Sequence, residues 1–561
     1  MNRQKYRKYE PFECAKLSLN TFTSMIDRNS DYLPYWLIDL DTYPASAQHC
    51  RVDDAEICAS WAEGLMRVKK MLSTNEGDEV LKGLINITLK GFRGDGLHYN
   101  NPYPWADHVF ASMHEQAYIA SFLTTWYEET KDARAKKYMD NLVHGLRKLV
   151  CERETVTFWG GSYPQPRKSY YFIGDAIYEG KGWDFSKHRG SGEEGTRNMP
   201  MVAAIMKYYE LTGNEEALDL AEGLINYSVI ETRYFAYGGK FNGHVHSHLW
   251  IAIGLARFAR VTGSDMHRQL ARDIFEYGKK ISSSFGFVPE FAGFKHPGHI
   301  TSESCCIKDM IELAFEMIKL GYDEWDTIDR YARNQLVENQ IRSTPAIIVD
   351  NTLDDTQTHT YKDLDKRIIG GFTGHASPNH IPIDNRRALA GCCTGIAPQA
   401  HYMVWENTVI KQDDCIDINF LFDIDTKYVM IECAYPNVGY IKLTAKEANS
   451  YRVRIPKWVG ERITLKINGE QTYIFWDKDY IVFNLGKNDI AEISHQLQEV
   501  VTNETVNSIE YTIVWRGNHI VRLLPEGKPY RLYDRTPGGK RQEEGTTDKK
   551  SRVIKATDQQ I

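Results

Sequence analysis

The chain has 561 residues, of which 42% are hydrophobic and 25% charged, and its formal net charge is −7. That length allows two or three domains with a large core, and the composition is that of a globular protein. The acidic balance, without a dense Lys/Arg run on a recognisable reading module, argues against nucleic acid as the main partner, since phosphate binding needs a concentrated basic surface. The N-terminus, Met1–Arg7, is basic but no apolar stretch follows it. No secretory signal and no membrane span are therefore expected, and a cytoplasmic protein with no membrane partner is the reading. Ten cysteines over this length read as free thiols or metal ligands, not as a disulfide framework. Cys14, Cys50, Cys58, Cys151, Cys415 and Cys433 stand alone and read as packing. The 12 Trp and 33 Tyr suit either the core or the C–H faces of sugars.

Residues 1–408 read as a mainly helical domain, with apolar residues three and four apart between Pro/Gly-rich loops. A theme recurs there. Trp126-Tyr127-Glu128-Glu129-Thr130-Lys131-Asp132, Tyr208-Tyr209-Glu210-Leu211-Thr212-Gly213-Asn214 and Phe258-Ala259-Arg260-Val261-Thr262-Gly263-Ser264 are three copies, and Met317–Asp323 is a looser fourth. The glycine suits a left-handed helix end, and the Asp, Asn or Ser after it can cap the next helix. Helical hairpins at this spacing suit a solenoid or a closed ring. Loops of uneven length carrying Trp, His and acidic residues favour the ring.

Within these loops, in chain order, Asn101–His108 resembles an aromatic subsite wall, with Trp105 at its centre. His188–Asn198 is glycine-rich but lacks the lysine and strand context of a phosphate loop; His188 and Asn198 suit hydroxyl recognition. His244 and His246, in Gly243-His244-Val245-His246-Ser247-His248, read as hydrogen-bonding partners of sugar hydroxyls, with helix capping close behind. Glu290 sits among Phe and Pro in Phe287–Phe294, the setting that raises a carboxyl pKa as a general acid requires. Glu303-Ser304-Cys305-Cys306 places a carboxylate two positions before a thiol, and Gly391-Cys392-Cys393 brings two adjacent thiols. Glu303, Cys305, Cys392 and Cys393 could close around one Zn²⁺, although the Cys-x-x-Cys of many zinc sites is absent. A cysteine held there stays a thiolate and could be a nucleophile. Cys306 reads as core, and Gly374-His375 is too isolated to interpret.

Near residue 409 the period changes to two. Ile416–Phe422, Lys427–Ile431, Tyr440–Leu443, Tyr451–Ile455, Ile463–Ile467, Tyr480–Leu485 and Ile509–Trp515 read as strands, with Asn468-Gly469 as a hairpin turn. They predict a β-sandwich over 409–536, followed by a polar, loosely ordered tail over 537–561.

These pieces resemble glycoside hydrolase family 127 and its relatives, the beta-L-arabinofuranosidase group. Glu303-Ser304-Cys305 is similar to the family's Glu-Thr-Cys, Cys392-Cys393 to its Cys-Cys pair and Gly243-His244-Val245 to its Gly-His-Ala/Val step. Arg454-Ile455-Pro456-Lys457-Trp458 and Asn468-Gly469 are similar to motifs of its β domain. The resemblance implies an (α/α)₆ barrel followed by a β-sandwich, and a zinc ion held by Glu303, Cys305, Cys392 and Cys393. It further implies Cys392 as nucleophile and Glu290 as acid/base of a retaining hydrolase acting on an oligosaccharide or glycoside. Glu290 lies in Pro-Glu-Phe where the family has Gly-Glu-x-Phe, and nearer to Glu303 than in the family. Two other readings stay open: a lyase or unsaturated-uronide hydrolase on the same barrel, and a non-catalytic glycan-binding scaffold. Pairing of two copies into a homodimer through the β domain is left open too.

Overall fold

The computed structural model describes residues 5–40, 42–49, 54–105, 109–157, 165–172, 176–179, 200–293, 301–344, 347–382, 389–460, 462–528 and 530–535. The tail predicted over 537–561 lies outside them.

The helical part begins with α1 (Pro11–Ser24), α2 (Asp54–Leu72) and α3 (Asp78–Lys90). Helix α4 (Met113–Thr130) starts on Ser112, whose Oγ accepts the Glu115 N–H, and ends with Lys131 at φ +55°. Asp132 then caps α5 (Ala133–Leu149) by accepting the Arg134 N–H. Helix α6 (Met201–Thr212) ends on Gly213 at φ +69°, and Asn214 caps α7 (Glu215–Ile225) by accepting the Ala217 N–H at 3.0 Å. Helix α8 (Val245–Thr262) ends on Gly263, also at φ +69°, before α9 (Asp265–Ile281). The serine cap expected there is not made, because the Ser264 hydroxyl meets His267 Nδ1 at 2.8 Å instead. In all three copies the threonine donates to the carbonyl four residues back at 2.7 Å: Thr130 to Trp126, Thr212 to Tyr208 and Thr262 to Phe258. The last helices are α10 (Ser304–Lys319), α11 (Trp325–Tyr331), α12 (Gly391–Ile396) and α13 (Pro398–Glu406).

Helices α2, α4, α6, α8 and α10 pack side by side in that order, and α12 fits between α10 and α2 to close the ring. Outside them lie α3, α5, α7, α9 and α11, each against its own inner partner, with α1 over α2 and α13. This is an (α/α)₆ barrel. The patterning dictates which helices are inside: α8 is buried continuously from Val245 to Ala259, whereas α9 buries only His267, Ala271, Ile274, Phe275 and Gly278. Closure is tight. A Cβ on Gly64 would lie 2.3 Å from the Gly395 carbonyl, so α2 and α12 meet there without side chains between them.

Strands too short for a sequence pattern to reveal form a sheet that leads into α12. Leu37–Asp39 pairs with Ser46–Gln48 on one side and Leu389–Ala390 on the other, and His359–Thr360 adds an edge. Because Leu389–Ala390 runs straight into α12, this sheet sets where Cys392 begins its helix.

After Glu406 the first strand starts at Val409. One sheet orders Val409–Lys411, Cys415–Ile418, Asn449–Arg454, Tyr480–Leu485 and Phe475–Asp477; a second carries six strands, from Ile424–Asp425 to Glu470–Thr472. Tyr440–Ala445 alternates half-buried and buried residues, as one sandwiched face requires. Asn468 and Gly469 both take positive φ in the predicted hairpin turn. A third sheet, Glu499–Val506, Ile509–Arg516 and His519–Leu524, is tied to the barrel through Asn518, which donates to Asp329 Oδ2 at 2.9 Å. No helix among the described residues is long and apolar enough to cross a membrane.

Candidate active site

Backbone pairing gathers the polar groups. Ser302 is bridged to Pro289 on one side and to Ala376 on the other, and Glu290 N–H donates to the Thr301 carbonyl at 3.1 Å. The chain segments carrying Glu290, Glu303 and His375 are therefore laid side by side. Phe291 pairs with His244, and the Val245 N–H donates to the Glu290 carbonyl at 2.8 Å, which adds the start of α8 to the same group. Opposite, Gly391 N–H donates to the Trp36 carbonyl at 2.9 Å and Trp61 Nε1 donates to the Gly391 carbonyl at 2.8 Å, so α12 enters at a fixed height.

Donor atoms of Glu303, Cys305, Cys392 and Cys393 all lie within 4.8 Å of one another. The Sγ atoms of Cys305 and Cys393 are 3.3 Å apart, and Cys393 Sγ is 3.8 Å from Glu303 Oε1. Sulfurs on a tetrahedral zinc, with bonds of about 2.3 Å, stand about 3.8 Å apart. The set is thus too open for a disulfide and of the right size for one ion. Its electrostatics point the same way. Burial pushes the Cys305 thiol well above its usual range. Burial would raise Glu303 too, but the hydrogen bond from His244 and the charges of His244 and His246 hold its carboxyl far below the usual value. An ionised carboxylate among buried sulfurs fits a divalent cation that keeps those sulfurs as thiolates. Cys305 and Cys393 are fully buried, whereas Cys392 is only half-buried.

Around the cluster, His244 Nε2 lies 3.0 Å from Glu303 Oε2, with Ser247 Oγ 3.0 Å from its Nδ1. The His244 side chain keeps a quarter of its surface exposed. His246, by contrast, is buried: Asp309 holds its Nδ1, and Tyr118 OH meets Nε2 at 2.9 Å. Burial would depress its pKa, but Asp309 raises it to about 9. Cys306 is wholly buried and donates to Glu303 Oε2 at 3.4 Å. Glu290 is 4% exposed, and His375 Nε2 lies 2.9 Å from its Oε2.

Trp105 sits in a column of stacked rings running Tyr35, His49, Trp105, Tyr103, against the sheet that delivers α12. His188 and Asn198 lie outside the described residues. Sequence reasoning passed over Asp309, Tyr118 and His375, and also the floor beneath them. There Arg67 pairs with Glu63 at 3.1 Å, Arg257 with Glu312 at 2.7 Å and Glu316 at 3.1 Å, and Lys308 with Glu312. Lys207 meets Glu128, and Arg67 also donates to Gln399 at 3.0 Å. Buried charges of this kind are stable only through mutual pairing, and that pairing fixes them in place.

No family model matches the chain and no curated protein matches it in sequence. Solved structures do. A GH127 beta-L-arabinofuranosidase from Geobacillus stearothermophilus T6 superposes with a TM-score of 0.56 at 16% identity, over 91% of this chain and 80% of that one. A second GH127 enzyme, a beta-arabinofuranosidase, gives 0.58 at 13% identity over 91% and 80%. A structure described as a glycoside hydrolase gives 0.57 at 13% identity over 89% and 85%. The chain shares their fold. The arabinofuranosidase fold is the one its Glu-x-Cys, Cys-Cys and Arg-Ile-Pro-x-Trp motifs imply, here carried by a strongly diverged sequence. Within that fold, the cluster stands where the closing helix meets α10.

Proposed function

We propose that the protein is a retaining glycoside hydrolase acting on beta-L-arabinofuranosides or a related glycoside. In this reading Cys392 is the nucleophile, Glu290 the acid/base, and Glu303, Cys305, Cys392 and Cys393 hold zinc. The observation that carries it is the difference within the cluster: two cysteines are sealed, and Cys392 alone of the three keeps part of its surface exposed. Zinc, when bound, keeps sulfur ionised and stabilises it as a leaving group.

The chain's own groups do the rest. Cys392 Sγ attacks the anomeric carbon while the Glu290 carboxyl gives its proton to the departing oxygen. Glu290, now ionised, takes a proton from the water that displaces sulfur, and two inversions leave the configuration unchanged. His244, donating to Glu303, orients that carboxylate, as outer partners do at metal sites. His375 keeps Glu290 aimed from the opposite side.

The test is metal analysis of the purified protein beside a screen of aryl furanosides and pyranosides, with Cys392→Ser as control. Stoichiometric zinc, turnover by the native protein and an inert, folded Cys392→Ser are expected. Full turnover by Cys392→Ser would overturn the assignment.

A further inference from the structure

A cleft of about 780 Å³ opens where the barrel meets the β domain, and it shares no residue with the cysteine cluster. Ser284 and Arg330 line it from the barrel side, and Trp458, Arg462, Gln498 and Trp515 from the other. Among its described residues the charges are not balanced. The acid in the wall, Glu504, is already engaged, accepting the Ser284 N–H at 2.8 Å and the Ser284 hydroxyl. Arg330 donates through Nε to Asn518 Oδ1 at 2.8 Å and lies 5.2 Å over the Trp515 ring, with no carboxylate partner among the described residues. Arg462 is exposed and likewise has no ion pair among the described residues. In a chain of net charge −7, two guanidinium groups in one cleft without a carboxylate partner among the described residues single out an anionic ligand.

The apolar walls are as particular. Trp515 is buried and donates from Nε1 to Thr502 Oγ1 at 2.9 Å. Trp458 lies against Tyr435, ring centroids 5.3 Å apart, and over Gly517, where a Cβ would come within 2.6 Å of the indole. Its buried Nε1 has no acceptor among the described residues. Gln496, Gln498 and Asn503 add amides on the rim. Guanidinium forks match carboxylates and amides match hydroxyls. The volume suits a short oligosaccharide.

We infer that this cleft is a second glycan site, separate from the catalytic pocket, and that it binds a carboxylate-bearing saccharide. The ligand class rests on the carbohydrate reading of the protein; the charge preference rests on the cleft. The experiment is calorimetric titration of the full chain with trigalacturonate and with the neutral galactotriose. The acidic trisaccharide is expected to bind at least tenfold more tightly, and to weaken as salt rises. Arg330→Gln combined with Arg462→Gln, checked for an unchanged melting temperature, is expected to lower its affinity at least tenfold. Cys392→Ser is expected to leave it unaltered. No binding by the native chain, equal affinity for the neutral sugar, or indifference to the double variant would overturn the inference. Since turnover of aryl glycosides is read separately, loss of one conclusion does not carry the other with it.

Discussion

His375 Nε2 lies 2.9 Å from the carboxylate of Glu290, although the two residues come from loops on either side of α10 and α11. Thr301–Ser302 lies between their backbones and pins both. If Glu290 handles the leaving-group proton, Glu290→Gln will lower turnover of alkyl glycosides by about 10²- to 10⁴-fold. Nitrophenyl substrates, whose leaving group needs little help, will lose far less in the first step. Equal losses across the leaving-group series, measured as kcat/KM, would remove Glu290 from proton transfer.

His244 contributes to the cluster only through Glu303. Replacing it with alanine leaves all four donors in place but frees the carboxylate to rotate. Zinc affinity, measured by competition with a chromogenic chelator, is expected to fall about 10- to 100-fold. Unchanged affinity would mean that packing alone orients Glu303.

Gly395 faces α2 so closely that a Cβ would stand 2.7 Å from Ser60 Oγ and 2.8 Å from Trp61 Cδ1. Gly395→Ala is therefore expected to destabilise the protein by about 1–3 kcal/mol, read from chemical denaturation. It should also weaken zinc retention, because the displaced helix carries Cys392 and Cys393. Native stability in this variant would show that the closure yields.

Glu316 is buried with Arg257, Arg260 and Lys319 around it. Burial alone would raise its pKa; the arginines and the lysine instead bring it from 4.5 down to about 2. A depressed folded value stabilises the native state above the unfolded pKa and ceases to do so as pH falls through the folded one. Glu316→Gln is thus expected to cost about 3 kcal/mol at neutral pH. The gap between variant and native protein should stay level above pH 5 and shrink between about pH 4.5 and 2. A gap independent of pH would assign the loss to shape alone.

The parts of this molecule that could be read from the sequence are those whose meaning is local. Gly213 and Asn214 announce a helix end and a new start by their own conformational and hydrogen-bonding preferences, and the alternation of Tyr440–Ala445 announces a half-buried strand. The donor set was legible because Glu303 and Cys305, and Cys392 and Cys393, are neighbours in the chain. His375 was not, since its meaning depends on a strand contact with a segment far upstream. Lys308 and Glu312 form an i,i+4 pair that in one dimension looks like a solvated helix face; only ring closure turns it toward the axis. Leu37–Asp39 is too short to alternate visibly, yet it sets the entry of α12.

The closing of the ring by α12 has a temporal consequence. During synthesis, five of the inner helices and the donors Glu303 and Cys305 at the start of α10 emerge before the sixth helix exists. A nascent chain ending short of residue 391 owns two of the four clustered donors and a gap in its wall. Under the proposed zinc reading, the donor set and the barrel wall would be completed in one event, the arrival of a single short helix bearing both remaining sulfurs.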